Sequence, residues 1–129
     1  MAVLTGAKAI AFVLSHDVAA LKSFYSAVLG LPLIGEDPFA ATFDLGGGTT
    51  LRLTAVQDHE PAPHTVLGWS VDDLDTALDQ LTAAGLSCEI YDGYGQDARG
   101  VWTNPDGSGR IVWFKDPEGN VLSLTQFGG

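Results

Sequence analysis

The stretch Trp113-Phe114-Lys115-Asp116-Pro117-Glu118-Gly119-Asn120-Val121-Leu122-Ser123-Leu124-Thr125-Gln126 decides the fold. Two apolar runs flank a Pro/Gly/Asn turn, the pattern of a β-hairpin with a short loop. Proline fixes its own φ, and the Asp116 side chain can accept hydrogen bonds from the backbone just ahead of it. Gly119 tolerates the positive φ that such a turn needs. After the turn, Val121, Ser123 and Thr125 alternate with Leu122 and Leu124. One face of the strand therefore belongs to a core, and the other carries small polar groups fit to line a cavity.

The same hairpin occurs earlier. Phe43 to Leu53 aligns without a gap on Phe114 to Leu124, an offset of 71 residues from Gly48 to Gly119. A second match lies upstream, Ser15 to Leu21 on Val71 to Ala77, an offset of 56 residues from Asp17 to Asp73. Strand, aspartate, amphipathic helix is the shared plan, so the chain reads as one module written twice. Periodicity and turn residues give the order βαβββ–βαβββ. The expected strands are Ala7–Leu14, Leu31–Glu36, Phe39–Leu45, Thr49–Val56, Thr65–Val71, Leu86–Tyr91, Arg110–Lys115 and Val121–Phe127. The expected helices run from Val18 to Leu29 and from about Leu74 to Ala84, opened by Asp17 and by Asp72 or Asp73. The segment Asp92 to Gly109 is long and Gly-rich, and is expected to be an irregular functional loop.

At 129 residues the chain is expected to be one domain, 1–129, with modules at 7–56 and 65–127. Sixteen acids against six bases leave a net charge of −10. Such a surface disfavours nucleic acid and anionic membranes as partners, because no basic patch exists to release counterions. No apolar run approaches a membrane span, and Met1 to Lys8 lacks the layout of a signal peptide, so a cytoplasmic location is expected. The single cysteine, Cys88, has no partner for a disulfide and is expected to be a small buried hydrophobe.

These pieces resemble the vicinal oxygen chelate superfamily, which includes glyoxalase I, extradiol dioxygenases, and fosfomycin- and bleomycin-resistance proteins. The resemblance rests on Asp17 with Phe24-Tyr25 and Val28-Leu29-Gly30-Leu31, on Val71-Asp72-Asp73-Leu74, on Ala84-Gly85, and on Asp116-Pro117-Glu118-Gly119-Asn120. It implies an α+β fold in which two βαβββ modules, related by a pseudo-twofold axis, form a curved mixed sheet with a cup. Metal-dependent members hold ligands at four positions that fall here on Ile10, Arg52, Val66 and Ser123. None of these is His, Glu, Gln or Asp. A divalent cation wants imidazole, carboxylate or thiolate donors, so no metal and no cofactor are expected. A slip of one residue would bring Ala9 or Thr65 to these sites and add no donor.

Alternation places Ile10, Phe12 and Leu14 with Thr50, Arg52 and Thr54 on the face that the resemblance assigns to the cup. Val66, Gly68, Ser70, Ile111, Trp113, Lys115, Val121, Ser123 and Thr125 follow in the second module. From this set, Phe12, Arg52, Ser70, Trp102, Trp113 and Ser123 are the expected ligand-binding residues. Tyr91 and Tyr94 would close over a flat ligand. Arg52 would either hold an anionic ligand group or pair internally with an acid such as Asp44. His16, and His59 and His64 in the Pro-bearing linker, are expected to be solvated loop residues. No nucleophile–base arrangement and no paired carboxylates stand out. Two functions remain open: a metal-free binding or sequestration protein for a planar or anionic small molecule, or a glyoxalase-type lyase, isomerase or dioxygenase with a non-standard metal site or none. A homodimer is expected, since open sheet edges need cover.

Overall fold

The structure, a computed structural model, describes residues 2–128. It divides into two compact units, Met1–Glu60 and Pro61–Gly129. The first holds β1 (Ile10–Ser15), α1 (Val18–Ser23), β2 (Leu33–Asp37), β3 (Ala40–Gly46) and β4 (Thr49–Ala55). The second holds β5 (Thr65–Ser70), α2 (Leu74–Ala83), β6 (Trp102–Thr103), β7 (Gly109–Lys115) and β8 (Val121–Phe127). Each unit is a four-stranded mixed sheet, ordered β1-β4-β3-β2 in one and β5-β8-β7-β6 in the other. The fold is the α+β pair of βαβββ modules expected of a glyoxalase-like chain.

The registers repeat as the sequence does. Phe43 pairs with Leu51 across β3–β4, and Phe114 with Leu122 across β7–β8. Phe12 lies beside Arg52 on parallel β1–β4, and Gly68 beside Ser123 on parallel β5–β8. In unit 1, α1 packs on β3 and β4, over a core of Val13, Leu21, Phe43, Leu51 and Leu53. In unit 2, α2 packs on β8, and Leu74, Leu78 and Leu81 form its buried stripe. Asp17 caps α1 by accepting the Ala20 N–H, and Asp73 rather than Asp72 caps α2 by accepting the Thr76 N–H. The Thr76 hydroxyl and that N–H hold the Asp73 carboxyl below the ordinary aspartate value of 3.8.

Three local features depart from the expected plan. The first helix is not regular to Leu29: from Phe24 to Val28 it widens to π geometry, with the Leu29 N–H bonded to the Phe24 carbonyl five residues back. The wider turn lets consecutive aromatics, Phe24 and Tyr25, both point inward, where they meet edge-on at 5.4 Å. The segment Leu86–Tyr91 is not a strand. Its Glu89 N–H reaches the Trp113 carbonyl, but the Gln96 side chain takes up the Tyr91 N–H and the Glu89 and Gly100 carbonyls. With those groups satisfied locally, the fourth strand of the sheet is Trp102–Thr103, inside the segment expected to be irregular throughout. Finally, the β5–β8 register skips Val66: Thr65 faces Val121 and Leu67 faces Leu122. Val66 is a bulged residue, so the ladder neighbour that matches Ile10 in the second unit is Thr65 and not Val66.

Among the described residues, no helix is long and apolar enough to cross a membrane.

Candidate functional site

The β8 strand fixes the site because its polar face is held between two neighbours. Ser123 sits beside Gly68 on β5 and beside Trp113 on β7. Ser70 lies beside Thr125, and Trp102 beside Ile111, on the same face of the sheet. Unit 2 thus gathers Ser70, Trp102, Trp113 and Ser123, and unit 1 gathers Phe12 and Arg52. Gly68 leaves room for its neighbour: a β-carbon there would overlap the buried Ser123 hydroxyl, which would have to move, and lie 3.4 Å from its carbonyl oxygen.

Beside this face the 91–94 turn builds an aromatic corner. The Tyr91 and Tyr94 rings lie 5.8 Å and 6.5 Å from the Trp113 ring at interplanar angles of 71° and 81°. Their mutual distance is 5.6 Å and their mutual angle 49°. The two steep angles to Trp113 satisfy the edge-to-face preference of aromatic pairs. They border a cavity of about 360 Å³, lined also by Pro63, His64, Thr65 and Val121. That size falls in the range of small-molecule pockets. Of the residues expected from sequence, Trp113, Tyr91 and Tyr94 line it; Trp102, Ser70 and Ser123 share the sheet face without lining it. His64, expected to be a solvated linker residue, is exposed as expected and also borders the cavity. So does Thr65, which the bulge at Val66 brings opposite Val121. No turn or period signal in the sequence marks that bulge.

In unit 1, Phe12 and Ile10 are 56% and 52% exposed, so this sheet face is open rather than core-like. Arg52 is not the deeply buried cation its strand position implied, because its side chain is 36% exposed. Its guanidinium reaches over β3 to Asp37 Oδ2 at 3.5 Å. The partner is therefore Asp37 and not Asp44, whose carboxylate accepts the Gly46 N–H at 2.8 Å. The Phe39 N–H is the largest influence holding Asp37 below the ordinary 3.8, with the Ala40 N–H and Arg52 adding to it. An exposed pair of this kind contributes little. Arg52→Ala is expected to shift the melting temperature by no more than about 2 °C and to leave affinity at the unit 2 cavity unchanged. A tenfold loss of affinity for an acidic ligand would show instead that the guanidinium holds it.

The metal site that the resemblance implies does not fit the residues present. Ile10 and Arg52 in unit 1, and Val66, Thr65 and Ser123 in unit 2, supply no imidazole, carboxylate or thiolate. Among the described residues, no three His, Cys, Asp or Glu side chains gather where they could hold a metal ion. A second cavity, of about 340 Å³, lies beside α2 and includes Cys88, Leu78, Leu86 and Arg99. Burial there pushes the Cys88 thiol above its ordinary 9.0, which keeps it protonated and a poor nucleophile.

Comparison with known proteins gives a consistent picture of the fold. The model of the Glyoxalase/Bleomycin resistance protein/Dioxygenase superfamily matches residues 9–124. No curated protein matches. Among solved structures, the chain is similar to a lactoylglutathione lyase from Agrobacterium tumefaciens, with TM-score 0.71 and 20% identity over 92% of this chain and 91% of that one. It is similar to a superfamily member from Sphaerobacter thermophilus, with TM-score 0.70 and 23% identity over 92% and 94%. It is also similar to the fosfomycin resistance protein FosX from Listeria monocytogenes, with TM-score 0.68 and 13% identity over 92% and 90%. At these identities the likeness is one of fold. With the family model spanning nearly the whole chain and the repeated βαβββ registers in place, the protein belongs to the glyoxalase/bleomycin resistance/dioxygenase, or vicinal oxygen chelate, superfamily.

Proposed function

We propose that this protein binds and sequesters a small, planar, mostly apolar molecule, without using a divalent metal. The carrying observation is the cavity of about 360 Å³ walled by Tyr91, Tyr94 and Trp113. Large rigid rings supply contact area at low entropic cost, which suits binding more than bond-breaking. The donor-poor positions Ile10, Arg52, Thr65 and Ser123 support the same reading. The test is tryptophan fluorescence titration with planar ligands, together with metal analysis of protein purified without chelator. Saturable quenching that is lost in Trp113→Leu, at a metal content well below one equivalent, supports binding. Stoichiometric metal with turnover of a glyoxalase-type substrate would sink this reading in favour of a lyase, isomerase or dioxygenase.

The chain is also inferred to work as a homodimer. All five residues of β2, an edge strand, are exposed, including Ile34 at 58% and Leu33 at 40%. An apolar free edge of this kind favours pairing with another chain. Light scattering at micromolar concentration is expected to give twice the chain mass, and a monomer mass would contradict it.

A further inference from the structure

We propose that the aromatic cavity of unit 2 selects a methylated organic ammonium, a ligand carrying a soft cation beside its apolar body. The inference rests on the reading of this cavity as the ligand site and adds the charge of what enters it. Three observations lead to it. The rings of Tyr91, Tyr94 and Trp113 have centroids 5.6 to 6.5 Å apart at mutual angles of 49° to 81°. All three rings border the cavity of about 360 Å³, and a cation within roughly 6 Å of a ring centroid is attracted by the ring quadrupole. An uncharged guest of the same shape gains only the apolar contact.

The charges around the corner point the same way. The lining holds no Lys, Arg, Asp or Glu among the described residues, and His64 is its one basic side chain. With no carboxylate to replace lost water, a strongly hydrated primary ammonium or metal ion would leave its hydration uncompensated. A methylated ammonium sheds water cheaply and asks only for π faces. The nearest lysine on the sheet, Lys115, sits beside Val121 but is bound to Glu89 at 3.3 Å, so its charge is locally balanced. The net charge of −10 raises the local concentration of cations and not of anions.

The experiment is a titration of the full chain with choline and with its uncharged carbon isostere, in which a tert-butyl group replaces the trimethylammonium. Tryptophan fluorescence and calorimetry read binding. Choline is expected to bind about tenfold tighter than the isostere. Tyr94 is 56% exposed, so changing it spares the fold. Tyr94→Leu is expected to cut that preference about threefold to fivefold, while Tyr94→Phe keeps it. Equal binding of the two probes, or a preference that survives Tyr94→Leu, would overturn the proposal. If neither binds but uncharged indole saturates the cavity, the ammonium inference fails and the binding function stands. If no probe of either kind binds, both fail.

Discussion

Phe114→Ala is expected to lower the free energy of unfolding by about 4 kcal/mol, the range for truncating a fully buried aromatic ring. Phe114 has no exposed surface and lies beside Leu122, also fully buried, on the core face of β7–β8. The alanine loses both the transfer energy of the ring and its contacts, because the flanking strands are hydrogen-bonded and collapse only partly. Phe43 is its repeat counterpart, equally buried and beside Leu51. Phe43→Ala is therefore expected to cost the same within about 1 kcal/mol. Denaturant unfolding of both variants checks this. A cost below about 2 kcal/mol for either would mean that the strands close over the space.

Asp116→Ala is expected to cost about 3 kcal/mol and to drop the melting temperature by roughly 10 °C. The carboxylate is 4% exposed and ties the turn together. Oδ1 accepts the Glu118 N–H at 2.9 Å and the Asn120 N–H at 3.0 Å, and Oδ2 accepts the Asn120 side-chain amide at 2.8 Å. Alanine leaves these donors without an acceptor, and the Asn120 amide is itself buried. Asp116→Asn keeps one acceptor oxygen and is expected to lose about half as much. Thermal melts of the two variants give the comparison; an Asp116→Ala protein that melts with the parent would show that water replaces the carboxylate.

Much of the framework was legible because its signals are local. Asp17 and Asp73 announce helix starts through a side chain that bonds three residues ahead. Asp116 and Gly119 announce the hairpin in the same short-range way, and the repeat let one hairpin vouch for the other. What escaped the sequence depends on partners distant in the chain or on competition for them. Leu86–Tyr91 has strand-forming residues, yet Gln96 supplies an amide that takes its backbone groups out of the ladder. Val66 fits an alternating strand, and the slip appears only when β5 is laid on β8. Arg52 was expected to pair with an acid such as Asp44, but its partner Asp37 sits on β2, two strands away, where pairing register decides who meets whom. In the candidate site, the rings were visible as aromatic residues near a loop. His64 was not, because a polar, Pro-bearing segment gives no sign of what it folds against.

The ladder position held by Gly68 and Ser123 in one unit is held by Phe12 and Arg52 in the other. A framework written twice offers each location two independent spellings. One spelling is lean, with a hydrogen atom beside a hydroxyl, and the other is crowded, with a ring beside a guanidinium. Strand pairing accepts both, since it is made by the backbone and is indifferent to the side chains above it. Duplication therefore frees such a chain to remodel one copy while the other stays as it was, and new specificity arises without any change in architecture.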